Sequence, residues 1–347
     1  MPEATSKTMK AWQFASASPT VEANLKLNLA APVPPGPLKP DQVLVRVLVV
    51  ALNQVDYKFA EIPYLGRLIV GSPSTPAIDF AGRVAELPKG AAAGLEVGQL
   101  VYGRLELPTK FGTLAEYTVA PRGGCVPIPS GVSLNDAACV SSVALSAYQS
   151  IVPKVQLNAG KRVFINGGSG GCGTFGIQIA KLSGCHVTVT CSTPNVALCK
   201  SLGADVVIDY KQHNVVAELK RQKRFDLVVD NVGEPADLYW TAHEFTTPGA
   251  RFVQLGSGAV SVGFILGNLF KTHAPTWLGG GQRPFEFLNT VNKAEDFAQL
   301  SQWLQEGKLR TTVDEIFDVE VDGPIRAYSK LRTGRTKGKI LVKMWGE

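Results

Sequence analysis

The hydrophobic rhythm of the chain changes twice. Residues 43–52 are rich in β-branched side chains, interrupted by Arg46, and follow a proline-rich stretch over 32–40 that reads as a loop. Residues 80–85, 99–104 and 115–119 are further predicted strands, separated by turns containing Gly or Pro. Short strands at this spacing predict a small barrel or sandwich. Past Ser133 an Ala- and Ser-rich stretch running to Val152 predicts helix. From Arg162 onward apolar strands (162–165, 186–190, 206–208, 226–230, 251–255) alternate with helical segments (174–183, 195–202). That alternation is the mark of a doubly wound parallel sheet. Residues 293–306 carry Phe297, Leu300, Trp303 and Leu304 at helical spacing, and 313–319 and 339–344 read as strands that rejoin the first β region. The predicted fold class is α/β, with a discontinuous β-rich domain of residues 1–140 and 291–347 around a Rossmann domain of residues 141–290.

Composition supports that division. A chain of 347 residues, 45% hydrophobic and 18% charged, buries two modest cores and does not read as disordered. The net charge of +6 is spread along the chain, and the one dense cluster, Lys220 to Arg224, reads as a solvated helix end. No nucleic-acid partner is expected, and a mildly basic chain suits an anionic cofactor. The six cysteines form no CxxC pair and the four histidines are isolated, so neither a zinc knuckle nor a disulfide framework is expected. Residues 1–13 are polar and no apolar run approaches about 18 residues, which predicts no membrane span and a reducing, cytoplasmic location.

The chemistry concentrates in Gly168-Ser169-Gly170-Gly171-Cys172-Gly173. This loop follows a predicted strand and opens a predicted helix bearing Phe175, Ile177, Ile179 and Ala180, the context in which a GxGxxG pattern binds a dinucleotide. Gly168 is expected to make the tight turn, Gly170 to admit the pyrophosphate, and Gly173 to pack helix on strand, with backbone N–H groups at the helix start facing the anion. Cys172 reads as a small residue that contributes its backbone N–H. The competing interpretation is a glycine-rich turn in some other α/β protein. An acid about 20 residues beyond the loop would favour NAD. Here Thr190-Cys191-Ser192-Thr193 carries none, and its hydroxyls leave room and donors for a 2′-phosphate, so the expected cofactor is NADPH. Ser192 can equally cap the following helix.

With these features in view, the chain resembles the medium-chain dehydrogenase/reductase superfamily, in its zinc-independent quinone-oxidoreductase-like branch. The markers run along nearly the whole chain: Leu52 to Lys58, Pro76 to Gly82, Gly112 to Tyr117, Leu145 to Gln149, Gly203-Ala204-Asp205 and Gly334 to Lys339. The resemblance implies a GroES-like catalytic domain beside the Rossmann domain. Zinc-dependent relatives carry Cys, His and Cys where this chain has Asn53, Ile78 and about Ser142, and their four-cysteine lobe is missing between Val97 and Val119, so no metal is expected. The implied chemistry is hydride transfer from NADPH to a quinone or an α,β-unsaturated carbonyl. Lys58 and Tyr57 are the side chains the motif offers for oxyanion stabilisation and proton delivery. Lys58 at the surface and Tyr57 as packing is the alternative left open. The resemblance also places Asn53, Ser146, Asn231 and Gly233 near the nicotinamide side, Gly256 along the cofactor and Tyr210 beside the adenosine phosphate, while Gly171, Cys172, Ser192 and Thr193 are cofactor-binding candidates from the loop and the strand end themselves. Asn195 stands where several relatives have a phosphate-binding lysine, and Lys200 or Arg335 would have to compensate. Two other functions stay open: an enoyl reductase working in trans with an acyl carrier of a polyketide or fatty-acid synthase, and a non-catalytic NADPH-binding protein. A homodimer is a family expectation.

Overall fold

In a computed structural model describing residues 8–90, 94–155, 160–256 and 262–346, the apolar runs become strands. Of the polar start of the chain, residues 1–7 lie outside the described residues. The first segment holds β1 (Thr8–Gln13), β2 (Lys26–Pro32), β3 (Gln42–Ala51), β4 (Asp79–Glu86), β5 (Leu100–Arg104), β6 (Tyr117–Pro121) and β7 (Cys125–Pro127). The middle holds β8 (Arg162–Asn166), β9 (His186–Cys191), β10 (Val206–Asp209), β11 (Phe225–Asp230), β12 (Thr246–Gln254) and β13 (Phe285–Phe287). Two more close the chain, β14 (Val313–Asp318) and β15 (Lys339–Lys343). By contact density the chain divides into unit 1, residues 1–142, 291–307 and 312–347, and unit 2, residues 143–290 and 308–311.

Unit 1 is built on a seven-stranded sheet in the order β14-β15-β3-β4-β5-β7, with β6 also paired to β3, and on the separate antiparallel pair β1-β2. The C-terminal strands enter through β15, which runs antiparallel to β3. The run predicted over 115–119 is displaced by two residues, to β6, because Leu114 and Ala115 pair with β1 instead. The core gathers Trp12, Phe80, Ile78, Leu114 and Tyr328, and each large apolar side chain so buried contributes about 1.5–3 kcal/mol. Two polar tips in this unit find partners: the Trp12 indole donates to Val319 O at 2.9 Å, and Tyr102 exchanges a 2.8 Å hydrogen bond with Ser301.

Unit 2 is a six-stranded sheet in the order β10-β9-β8-β11-β12-β13, every neighbouring pair parallel. This is the doubly wound order, whose direction of winding reverses between β8 and β11. Phe164, Phe225 and Phe245 meet edge-on in its core. Residues 308–311 cluster with this unit because Gln178 holds the Arg310 backbone at both ends, donating to its carbonyl at 2.9 Å and accepting from its N–H at 2.8 Å. Among the described residues, no helix is long and apolar enough to cross a membrane.

Candidate cofactor and active site

Beyond β8 the chain turns sharply, and the left-handed residue is Gly167 (φ 82°), not Gly168. The turn is tied to the neighbouring strand: Gly167 N donates to the Thr190 hydroxyl at 2.8 Å, Gly168 N to Thr190 O at 2.7 Å, and the Thr190 hydroxyl to Asn166 at 2.6 Å. Gly168 is needed for closeness, since a Cβ there would sit 2.8 Å from Val189 Cβ. At Gly173 a Cβ would overlap the Gly167 carbonyl, so the helix can seat against the loop only without one. Gly170, by contrast, meets nothing nearer than 3.9 Å. Its open side is where a ligand can approach the backbone. The 12-residue helix Gly171–Leu182 starts at once, with Cys172 half-buried in its first turn, and presents its first backbone N–H groups toward that opening.

One strand over, β9 ends at Cys191 and the chain passes through Ser192, Thr193 and Asn195. The Ser192 hydroxyl makes no capping bond to the following turn. Instead, Asn195 Nδ2 reaches both Ser169 Oγ at 3.0 Å and Ser192 Oγ at 3.3 Å, linking the glycine loop to the end of β9. Asn195 Oδ1 is buried without a partner. Asp209, at the matching end of β10, accepts from the Thr193 hydroxyl, which holds its carboxyl below the usual range, and from Lys211 N at 2.9 Å. Tyr210 follows, 49% exposed.

On the other side of the winding reversal, β11 ends at Asp230, whose Oδ1 accepts from Asn166 Nδ2, Val232 N and Gly233 N. Burial raises this carboxyl, and the three donors anchor the turn 231–233, which Gly233 completes with φ 84°. Gly256 lies directly on the Asn231 carbonyl, where any Cβ would collide. Both polar atoms of the Asn231 side chain are buried and unpartnered. Ser146, in the long helix Leu134–Ile151, shares a 2.7 Å hydrogen bond with Thr290. The Gly170 opening, the helix start, the unpartnered Asn195 oxygen and the unpartnered Asn231 amide fit a dinucleotide laid across the ends of β9, β8 and β11.

Unit 1 presents a different kind of site. Lys339 is 2% exposed, and its ammonium donates to Asn53 Oδ1 at 2.6 Å, Leu52 O at 2.8 Å and Asp79 Oδ2 at 3.4 Å. Asn53 Nδ2 donates to Asp79 at 2.9 Å and Ala51 O at 3.2 Å, so the amide that sequence placed near the nicotinamide is engaged by the protein at both ends. Asp79 also accepts from the backbone N–H and the hydroxyl of Ser142, and Arg104 Nε donates to that same hydroxyl at 3.0 Å. Asn53, Ile78 and Ser142 are the positions that the sequence resemblance matches to the metal-holding ones of zinc-dependent relatives. An amide, an isoleucine and a serine, with an ammonium ion among them, supply no thiolate or imidazole and do not fit zinc.

Tyr57 and Lys58 diverge. Tyr57 is 6% exposed, packs edge-on against Tyr328 at 6.5 Å and lies under the Arg332 guanidinium at 4.2 Å; burial raises its hydroxyl. Lys58 reaches Gln54 Oε1 at 2.7 Å, and partial burial lowers its ammonium. Asp56, just before them, was not foreseen: fully buried, it accepts from Asn53 N at 2.7 Å, and burial pushes its carboxyl up to about 8. It adjoins the buried Tyr328 hydroxyl.

Comparison with known proteins now decides the family. Residues 39–130 match the model of the alcohol dehydrogenase GroES-like domain, and residues 202–342 that of the zinc-binding dehydrogenases. The chain is 64% identical to the trans-enoyl reductase pgmF of Aspergillus terreus over 343 residues, covering 97% of this chain and 96% of that one. It belongs to the medium-chain dehydrogenase/reductase superfamily. Within it, the relatives of this oxidoreductase include the 2-methylene-furan-3-one reductase of Solanum lycopersicum, 31% identical over 96% of this chain and 79% of that one. The quinone oxidoreductase of Coxiella burnetii superposes with a TM-score of 0.81 at 27% identity, covering 97% and 99% of the two chains. The predicted GroES-like and Rossmann architecture is therefore correct, and the chain is a nicotinamide-dependent reductase.

Proposed function

We propose that this protein is an NADPH-dependent enoyl reductase that works in trans on a thioester carried by a polyketide or fatty-acid synthase. The carrying observation is 64% identity, almost end to end, to an enzyme of that description. Reduction of free quinones or enones is the second reading, supported by the tomato and Coxiella relatives. A polar surround without a metal suits both, since an activated double bond needs its oxyanion stabilised and a proton supplied.

The bound nicotinamide supplies hydride. Asn231 holds its carboxamide through the two atoms that the protein leaves unpaired, and Gly233, Gly256 and Ser146 shape the same end. Gly168, Gly170, Gly171, Cys172 and Gly173 receive the pyrophosphate, and Ser192, Thr193 and Tyr210 the adenosine. Lys58 is the group assigned to the developing enolate oxygen, its lowered ammonium pKa making it the better acid. Tyr57, turned into the core, positions the Lys58 segment. The site of action is the cytoplasm.

The test is turnover by purified protein of a crotonyl pantetheine thioester, its carrier-bound form, a naphthoquinone and an alkenal, followed as NADPH oxidation. Preference for the thioesters, strongest when carrier-bound, supports the proposal. Turnover of only the free quinone or alkenal replaces it with the second reading, and tight cofactor binding without turnover of any substrate rejects both.

A further inference from the structure

The absence of a lysine at Asn195 leaves open which cation faces the adenosine 2′-phosphate. Two candidates lie in unit 2 near the end of β9. Lys200 sits in the last turn of the helix Val196–Ser201. That helix runs away from Asn195, and at 1.5 Å per residue it carries Lys200 about 7 Å off. Lys211 lies on the other flank. Strands β9 and β10 are parallel and in register, Cys191 opposite Asp209, so the residues that follow them emerge side by side about 4.8 Å apart. Tyr210 N donates to Cys191 O at 3.1 Å, which fixes that adjacency one residue before Ser192.

The geometry assigns Lys211 as the residue that selects the 2′-phosphate of NADPH, an inference that rests on the NADPH reading above. Its backbone is held by Asp209 Oδ1, the carboxylate that also takes the Thr193 hydroxyl. Its ammonium lies 5.4 Å from the centre of the half-exposed Tyr210 ring. Cation–ring attraction limits where the flexible side chain points. His213 N donates to the Asp209 backbone carbonyl at 3.0 Å, and the His213 and Lys211 side chains both act electrostatically on the Asp209 carboxyl. That carboxyl accepts from Thr193 and the Lys211 backbone and also attracts the Lys211 ammonium, which keeps the ammonium at the end of β10, next to the strand that leads into Ser192. A ribose 2′-hydroxyl gives that ammonium no charge to pair with. Selectivity then follows from Coulomb attraction in a half-solvated site.

The experiment measures binding, not turnover. Dissociation constants of NADPH, NADH, 2′,5′-ADP and 5′-AMP are compared for the wild type and for Lys211→Met, Lys211→Arg, Lys200→Met and Arg335→Met, with thermal melting as a check on folding. The expected result is that Lys211→Met weakens NADPH and 2′,5′-ADP by about tenfold, leaves NADH and 5′-AMP unchanged, and that Lys211→Arg restores most of the difference. Undiminished selectivity in Lys211→Met, or its loss in Lys200→Met or Arg335→Met instead, overturns the assignment while leaving the NADPH reading intact. A wild type that binds NADH and NADPH equally overturns the NADPH reading itself, and the assignment with it.

Discussion

The glycine loop of unit 2 and the buried cluster of unit 1 are both polar, both assembled at strand ends, and opposite in their state of satisfaction. Around Lys339, every donor of the ammonium and both ends of the Asn53 amide are matched by protein partners. Around the glycine loop, the amide of Asn231 and the Asn195 oxygen are buried with none. A buried polar group without a partner costs about 1–3 kcal/mol. A fold tolerates that where a ligand makes the missing bonds, whereas a closed network has no such need. The contrast teaches that the first site is shaped for a visitor and the second for the protein itself.

If that is right, substitutions in the closed cluster lower stability and those in the open loop lower binding. Lys339→Met is expected to have the largest effect, destabilising unit 1 by about 3–5 kcal/mol in urea unfolding, because Asp79 is left as a buried charge without its cation. A double variant that also replaces Asp79 with Leu should recover much of the loss; if it does not, the ammonium is not what balances that carboxylate. Gly173→Val comes next. Its side chain collides with the Gly167 carbonyl, and NADPH affinity, followed by cofactor fluorescence, should fall about a hundredfold. Asn231→Ala should cost about tenfold in the same affinity with no loss of melting temperature, since the amide bonds nothing in the protein. A drop in stability instead would blur the distinction between the two regions.

A further effect is a slope against pH. Asp56 titrates near 8 in the folded protein and near 3.9 when unfolded, so folding takes up a proton and stability falls as pH rises between those values. Below about pH 4 both states are protonated and the contribution is level. Asp56→Asn should therefore flatten the pH dependence of melting between about pH 4 and 8, and an unchanged slope would mean the carboxyl is already charged at neutral pH.

The parts of the candidate site most legible in the sequence were those carried by neighbours in the chain. The glycine loop announces itself because its strand, turn and helix are contiguous, although the left-handed turn residue proved to be Gly167. The parts that escaped are joined across the chain. Lys339 and Asp79 are 260 positions apart, and Lys339 was visible only as the end of a family marker. Arg332, which pairs with both Glu22 and Glu61 and covers the Tyr57 ring, gave no local signal at all. Its consequence, Tyr57 facing the core while Lys58 does not, was left undecided between catalysis and packing for that reason.

Periodicity and glycine spacing were enough to predict two kinds of architecture and a candidate dinucleotide loop, while the reductase reading came from the family resemblance. Those features are local, and steric or hydrophobic rules act on them within a few residues. Which polar groups end up satisfied depends on what the completed sheets bring alongside, as when β15 carries Lys339 to Asn53 or β10 sets Asp209 opposite Cys191. Hydrogen bonds and charges act over only a few ångströms, so tertiary structure alone decided which polar residues were closed off and which were left open to a ligand.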